Sequence, residues 1–284
     1  MRQTEAVVTS SAKSCFVMIA ALLVYGLLSY VTSASADTIP VRHVEGVTHG
    51  FVAMRDSEGR PIAFGDMIQE TKHGMVTSNL TFHFSDGSVY DDTTIYSEHG
   101  VFRVLSDHLI EKGPSFKQPM ETWVDTKTGE FKATSFGKDK DKFVSQKLKL
   151  PRDVANGILY VIAKNIDPKA ASTTVSMVVG TPKPRVVKMV FTSAGEDQYL
   201  LDGVSRKAIH YVIKVDLGGV AGVVAPLVGK QPANTDLWIA ADTVPTFLKM
   251  QGPLYDGGPI WTIELTLPRW PERSSHSGQQ GSSH

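Results

Sequence analysis

The chain has 284 residues, with 29 Lys and Arg against 29 Asp and Glu, 42% apolar residues and a single cysteine. That is the profile of a chain that folds around a core rather than of a disordered one. Balanced charge without Lys/Arg blocks leaves no electrostatic footprint for nucleic acid or for an anionic membrane surface.

The first 36 residues read as a targeting segment. Arg2 and Lys13 precede 17 uncharged residues, Cys15 to Val31, and Ala34-Ser35-Ala36 follows just before Asp37. A basic start, a short apolar run and small residues at 34 and 36 form the pattern of a secretory signal peptide, so cleavage after Ala36 and a periplasmic or secreted location are expected. An uncleaved membrane anchor is the alternative, because 17 apolar residues reach the lower edge of the spanning range. Removing 1–36 leaves 27 basic and 28 acidic residues over 248 positions and takes away the only cysteine. The mature chain then has neither a disulfide nor a thiolate metal site, and its stability comes from packing.

From about Val44 to Phe136, short β-branched and aromatic runs are separated by turn dipeptides at Glu58-Gly59, His73-Gly74, Asp86-Gly87, His99-Gly100 and Thr128-Gly129. This spacing predicts an antiparallel meander. Asp86-Gly87 is the strongest hairpin signal, because Gly accepts the positive φ of a tight turn and Leu80, Phe82 and Phe84 alternate before it. After Leu150-Pro151, residues 152–166 form the best helical pattern. Val154, Ile158 and Ile162 recur every fourth residue beside Ala155, Leu159 and Ile166, and Asp167-Pro168 ends the run. Strands are expected again at Thr173–Val179, Arg185–Phe191 and Ser205–Leu217. In the last, Ile209, Tyr211, Ile213 and Val215 share one face. Trp261, Ile263, Leu265 and Leu267 repeat the alternation, and the Ser/Gly/Gln-rich stretch 273–284 is an expected disordered tail.

Residues 37–272 thus read as a single mainly β domain, a large, strongly curved antiparallel sheet, half-barrel or sandwich, with one substantial helix. About a dozen strands cannot remain flat without curling or splitting. A helix across the mouth of such a sheet would leave an apolar interior.

The chemistry-bearing patterns are sparse. The glycine-rich stretch 218–230 ends in Gly229-Lys230, but a phosphate loop would need Gly at Val224 and Ser or Thr at Gln231. It reads either as core packing or as a lid presenting Val220, Val223, Val224 and Leu227 to a ligand or membrane, since apolar loop residues are seldom left in water. His43 and His49 would lie about 20 Å apart on one strand, too far to share an ion, so no metal and no cofactor is expected. No Gly-x-Ser-x-Gly elbow occurs. The most suggestive segment is Phe102–Phe116, read as a strand running into a loop that holds Arg103, Asp107, His108 and Lys112 before Gly113-Pro114. It is either the polar rim of a cavity or a long structured turn.

The run Asp86–Thr94, the segment Phe102–Phe116, Leu217–Gly222 continuing to Gly229–Pro232, and the closing pattern of Trp238, Pro245, Gly252-Pro253-Leu254 and Gly258–Trp261 resemble an uncharacterised family of secreted Gram-negative β-rich proteins. Some members look like the curved half-barrels of periplasmic lipoprotein carriers. The resemblance implies an envelope location and a large β fold, and supplies no catalytic residues.

The leading functional expectation is an exported, non-enzymatic protein binding an apolar small molecule such as a lipid or acyl chain, touching membrane only transiently or through an uncleaved signal. A hydrolase of envelope glycans or esters is the second. It requires Asp91, Asp92, Arg103, Asp107 or His108 to converge in one cleft. A structural or protein-interaction module is the third.

Overall fold

The computed structural model describes residues 38–167, 169–180, 183–201, 203–218 and 231–267. These belong to the second of two compact units, 36–284; the first, 1–35, lies outside the described residues. Eight strands come first: β1 Thr48–Arg55, β2 Pro61–Lys72, β3 Met75–Phe84, β4 Val89–Ser97, β5 Arg103–Lys112, β6 Met120–Asp125, β7 Glu130–Ser135 and β8 Lys142–Lys147. The helix α1 spans Leu159–Asn165. Six strands follow it: β9 Thr173–Val179, β10 Arg185–Leu201, β11 Val204–Asp216, β12 Thr235–Ala240, β13 Phe247–Pro253 and β14 Ile260–Thr266.

All fourteen strands form one antiparallel sheet, ordered β8-β7-β6-β5-β4-β3-β2-β1-β14-β13-β12-β11-β10-β9. Two meanders are joined where β14 returns to β1, with Met54 opposite Ile263. The sheet is curved but not closed, because β8 and β9 do not pair. It is therefore a half-barrel and not a sandwich. The five glycines of the expected turn dipeptides all adopt positive φ, between 73° and 84°. Register shifts at Met54/Arg55, Ile95/Tyr96, Ser193/Gly195 and Trp238/Ile239 are bulges of the kind that bend and twist a strand locally.

One continuous core unites side chains of α1 with those of every strand except β8. The sheet wraps the helix. Tyr160 reaches Ser78 at 2.7 Å, and Ile162 and Ile166 are buried. An aromatic cluster of Phe84, Phe116, Tyr255 and Trp261, with ring centroids 5.4–6.4 Å apart, fills another part of the interior. The interior is thus largely packed by the protein's own side chains, not left as the apolar hollow expected from the pattern.

The helix is shorter than its apolar spacing predicts. Val154, Ile158 and Ile162 are all buried, but only the last lies in α1. Gly157 has φ +65°, a conformation that interrupts a right-handed helix. Before it, residues 153–156 run beside β9. Ala155 N donates to Ser176 O at 2.8 Å, Ser176 N donates to Asp153 O at 3.1 Å, and the Asn156 amide brackets Val178 N and O at 2.8 and 3.0 Å. The free edge of β9 is thereby covered by its own chain, which removes a site for unwanted strand pairing. Beyond β9, an added Cβ on Gly180 would stand 3.1 Å from the Phe131 ring of β7. Curvature thus brings the end of β9 onto the opposite wing.

Candidate functional site

The residues expected to form one polar rim are instead divided by β5. All four lie within β5, which is bulged at Leu105, so Arg103, Asp107, His108 and Lys112 do not sit together in a loop; alternation sends neighbours to opposite faces. Arg103 Nη1 donates to Arg152 O at 2.8 Å, securing the segment that runs into the β9 cover. Asp107 points inward. His108 points outward and stacks on Trp123 with centroids 3.6 Å apart; its Nε2 lies 2.9 Å from Glu121. Lys112 sits 4.7 Å over the Phe136 ring. Val220, Val223, Val224 and Leu227, the candidate lid, lie outside the described residues.

Inside the half-barrel, Asp107 joins a buried acid cluster. Its Oδ1 accepts from Thr94 Oγ1 at 2.9 Å and its Oδ2 from Asn156 Nδ2 at 3.5 Å. Asp92, one strand away on β4, accepts from Tyr90 Oη at 3.4 Å. Burial, reinforced by the negative charge of Asp107, holds the Asp92 carboxyl well above the usual range. Asp107 is also raised by burial, but it accepts bonds from Thr94, Asp92 and Asn156, which favour its charged form. Of the two, Asp92 is the carboxyl whose neutral form its surroundings favour more, and its Oδ1 is buried with no hydrogen-bond partner among the described residues. Glu111, further along β5 and 3% exposed, is pushed up to about 7 by burial. Two carboxyls of the expected hydrolase set thus meet. However, Asp91 is bonded by Asn79 on the other face of β4, and His108 and Arg103 are engaged elsewhere.

The larger of the two cavities described is a cleft of about 240 Å³ between α1 and the β11–β12 pair. Three parts of the chain build it. Ala163, Lys164 and Ile166 come from the end of α1; Ile209, Tyr211 and Ile239 from the inner face of the sheet, with Ala240 at the end of β12; and Arg42 and His43 from the segment entering β1, with Asp242 and Pro245 at the β12–β13 turn. Asn165 fixes this arrangement: its Oδ1 accepts both Arg42 N and His43 N at 2.8 Å, while its Nδ2 donates to Val161 O. Lys164 pairs with Glu45 at 2.6 Å, both side chains no more than 10% exposed. Arg42 pairs with Asp167. The cations at the mouth are therefore already compensated.

Among the lining residues Tyr211 is only 2% exposed. Its hydroxyl is buried and has no hydrogen-bond partner among the described residues, and burial raises its pKa above the usual phenol value. Leaving such a group unpaired costs about 1–3 kcal/mol. The sequence placed Tyr211 correctly on the buried face of its strand but did not single it out. The available signal was one hydroxyl inside the aliphatic stripe Ile209, Ile213 and Val215. The smaller cavity, about 10 Å³ beside Ile39, Phe102 and Val154, is at the lower limit of what one water needs.

Among the described residues, no cluster of three His, Cys, Asp or Glu is placed to hold a metal ion, and no helix is long and apolar enough to cross a membrane. No family model matches the chain, and no curated protein matches it. Among solved structures, a β-barrel-like protein of a domain of unknown function, DUF1849, from Brucella abortus shares 11% identity. The match covers 79% of this chain and 98% of that one, at a TM-score of 0.40.

Proposed function

We propose that the protein is an exported binding protein that holds a small, partly apolar molecule in the cleft between α1 and β11–β12, with one acceptor group of the ligand taking the Tyr211 hydroxyl. The observation that carries this reading is a tyrosine only 2% exposed whose hydroxyl lacks a partner among the described residues and which lines the cleft together with Ala163, Ile209 and Ile239, beside the charged Arg42, Lys164 and Asp242. At about 240 Å³ the cleft is smaller than the roughly 300–1,000 Å³ typical of pockets for drug-sized ligands. It has room for about eight water-sized groups. A short acyl chain bearing a carbonyl or carboxylate fits this size and polarity; a full-length lipid does not.

The test is a series of straight-chain carboxylates from about four to twelve carbons, read by calorimetry. Affinity should peak near about eight carbons. Tyr211→Phe should lose about tenfold by forfeiting one hydrogen bond, and Ile239→Trp should abolish binding by filling the cleft. Binding unaffected by either substitution, or no binding by any chain, overturns the reading. Export rests on the 17-residue apolar run and the Ala34-Ser35-Ala36 site. N-terminal sequencing of protein from the periplasmic or culture fraction should begin at Asp37, whereas a cytoplasmic chain retaining 1–36 would remove that half of the proposal.

A further inference from the structure

We infer that the β8 edge, Lys142–Lys147, is a docking edge for an extended acidic segment of another protein, which adds to the sheet as a fifteenth strand. The two edges of the sheet are treated differently by the chain. The outer side of β9 is covered by residues 153–156. β8 ends the sheet at the other side, all six of its residues are exposed, and it contributes no side chain to the core.

A strand with so little of its own burial is held mainly by its ladder to β7, which runs without a bulge from Lys142 opposite Ser135 to Lys147 opposite Glu130. Regular backbone of this length, about 20 Å, presents an unbroken row of donors and acceptors to an incoming strand. Phe143, 65% exposed, and Val144, 44% exposed, lie on opposite faces of the strand. An added strand could therefore gain apolar contact on both sides.

Charge selects the occupant. Residues 138–149 carry five lysines against two aspartates, and Lys142 and Lys147 bracket β8. In the register that pairs all six residues of two copies, Lys142 of one faces Lys147 of the other at both ends, which disfavours a second copy. A segment with acidic ends and β-branched residues between them meets each lysine with an opposite charge and Phe143 and Val144 with apolar surface.

The probe is a fluorescein-labelled peptide, Glu-Thr-Val-Val-Thr-Glu, titrated with the full mature chain by anisotropy at low salt. It should bind, and the same peptide with lysines at its ends should bind about tenfold more weakly. In the K142E/K147E variant that preference should invert. Because these substitutions lie on exposed side chains outside the core, the fold should be kept, and circular dichroism checks it. No binding of the acidic peptide up to about 1 mM protein, or a preference unchanged by the charge reversal, overturns the proposal. Sedimentation showing that the edge is occupied by a second copy would overturn it as well. None of these outcomes depends on the cleft.

Discussion

At Asp92 a carboxyl has been placed where its charged form is poorly solvated and a second carboxyl, Asp107, lies beside it. The two side chains come from adjacent strands, β4 and β5, and the pair can be buried only if one proton is retained. The consequence for stability has a definite sign. The ordinary Asp value is 3.8 and the folded value of Asp92 lies well above it. The contribution is therefore complete below about pH 4 and is lost as the pH rises toward the folded value. Glu111 acts in the same direction between its ordinary 4.5 and about 7. Asp92→Asn retains a donor toward Asp107 without the proton requirement. It should match the wild type near about pH 4 and be more stable by ~1–2 kcal/mol near about pH 7.5. Urea denaturation at the two values checks this, and an advantage that does not grow with pH would show that no proton is retained at Asp92. None of this could be read from Asp91-Asp92 or Asp107-His108 in the sequence. Which member faces inward depends on the β4–β5 register, and that register is shifted by a bulge at Ile95/Tyr96.

At the scale of the element, the stretch from Asp153 to Asn165 shows how one residue redirects a correct hydrophobic pattern. The fourfold spacing marked the buried side chains, and all of them are buried. It could not say that Gly157 would divide the run into an edge-covering segment and a two-turn helix. The division is fixed by close packing as well as by φ, because a Cβ at position 157 would fall within the Thr94 hydroxyl and 3.1 Å from Asp107 Oδ1. Gly157→Ala should therefore cost about 3–5 kcal/mol, combining left-handed strain with a steric conflict in a buried polar cluster. Thermal unfolding would show it, and Thr94→Ala in the same chain should recover part of the loss. A neutral Gly157→Ala would mean that the edge cover is not held in place there. The outer face carries a pairing that the sequence also concealed. His108 stacks on Trp123 two residues after Glu121, and His210 stacks on Trp238, 4.3 Å between centroids, two residues after Asp236. Each pair is visible only once two strands are aligned.

Across the whole molecule, what could be read in advance was what is local. Gly-containing turn dipeptides marked the hairpins, period-two alternation marked the faces of β11 and β14, and the number of strands demanded curvature. What could not be read was what depends on residues far apart in sequence. The cleft needs Arg42 and His43 against Lys164 and Tyr211, and the inward acid cluster needs Asn156 against Asp107. The β1–β14 pairing has a consequence of this kind for biosynthesis. Strand β1 leaves the ribosome early, whereas the partner for its second edge ends at Thr266, roughly 200 residues later. At ~5–20 residues per second that edge waits on the order of 10–40 s for its mate. A newly made chain therefore spends much of its birth with one edge of β1 unpaired, and its yield should depend on whatever shelters nascent polypeptides during that interval.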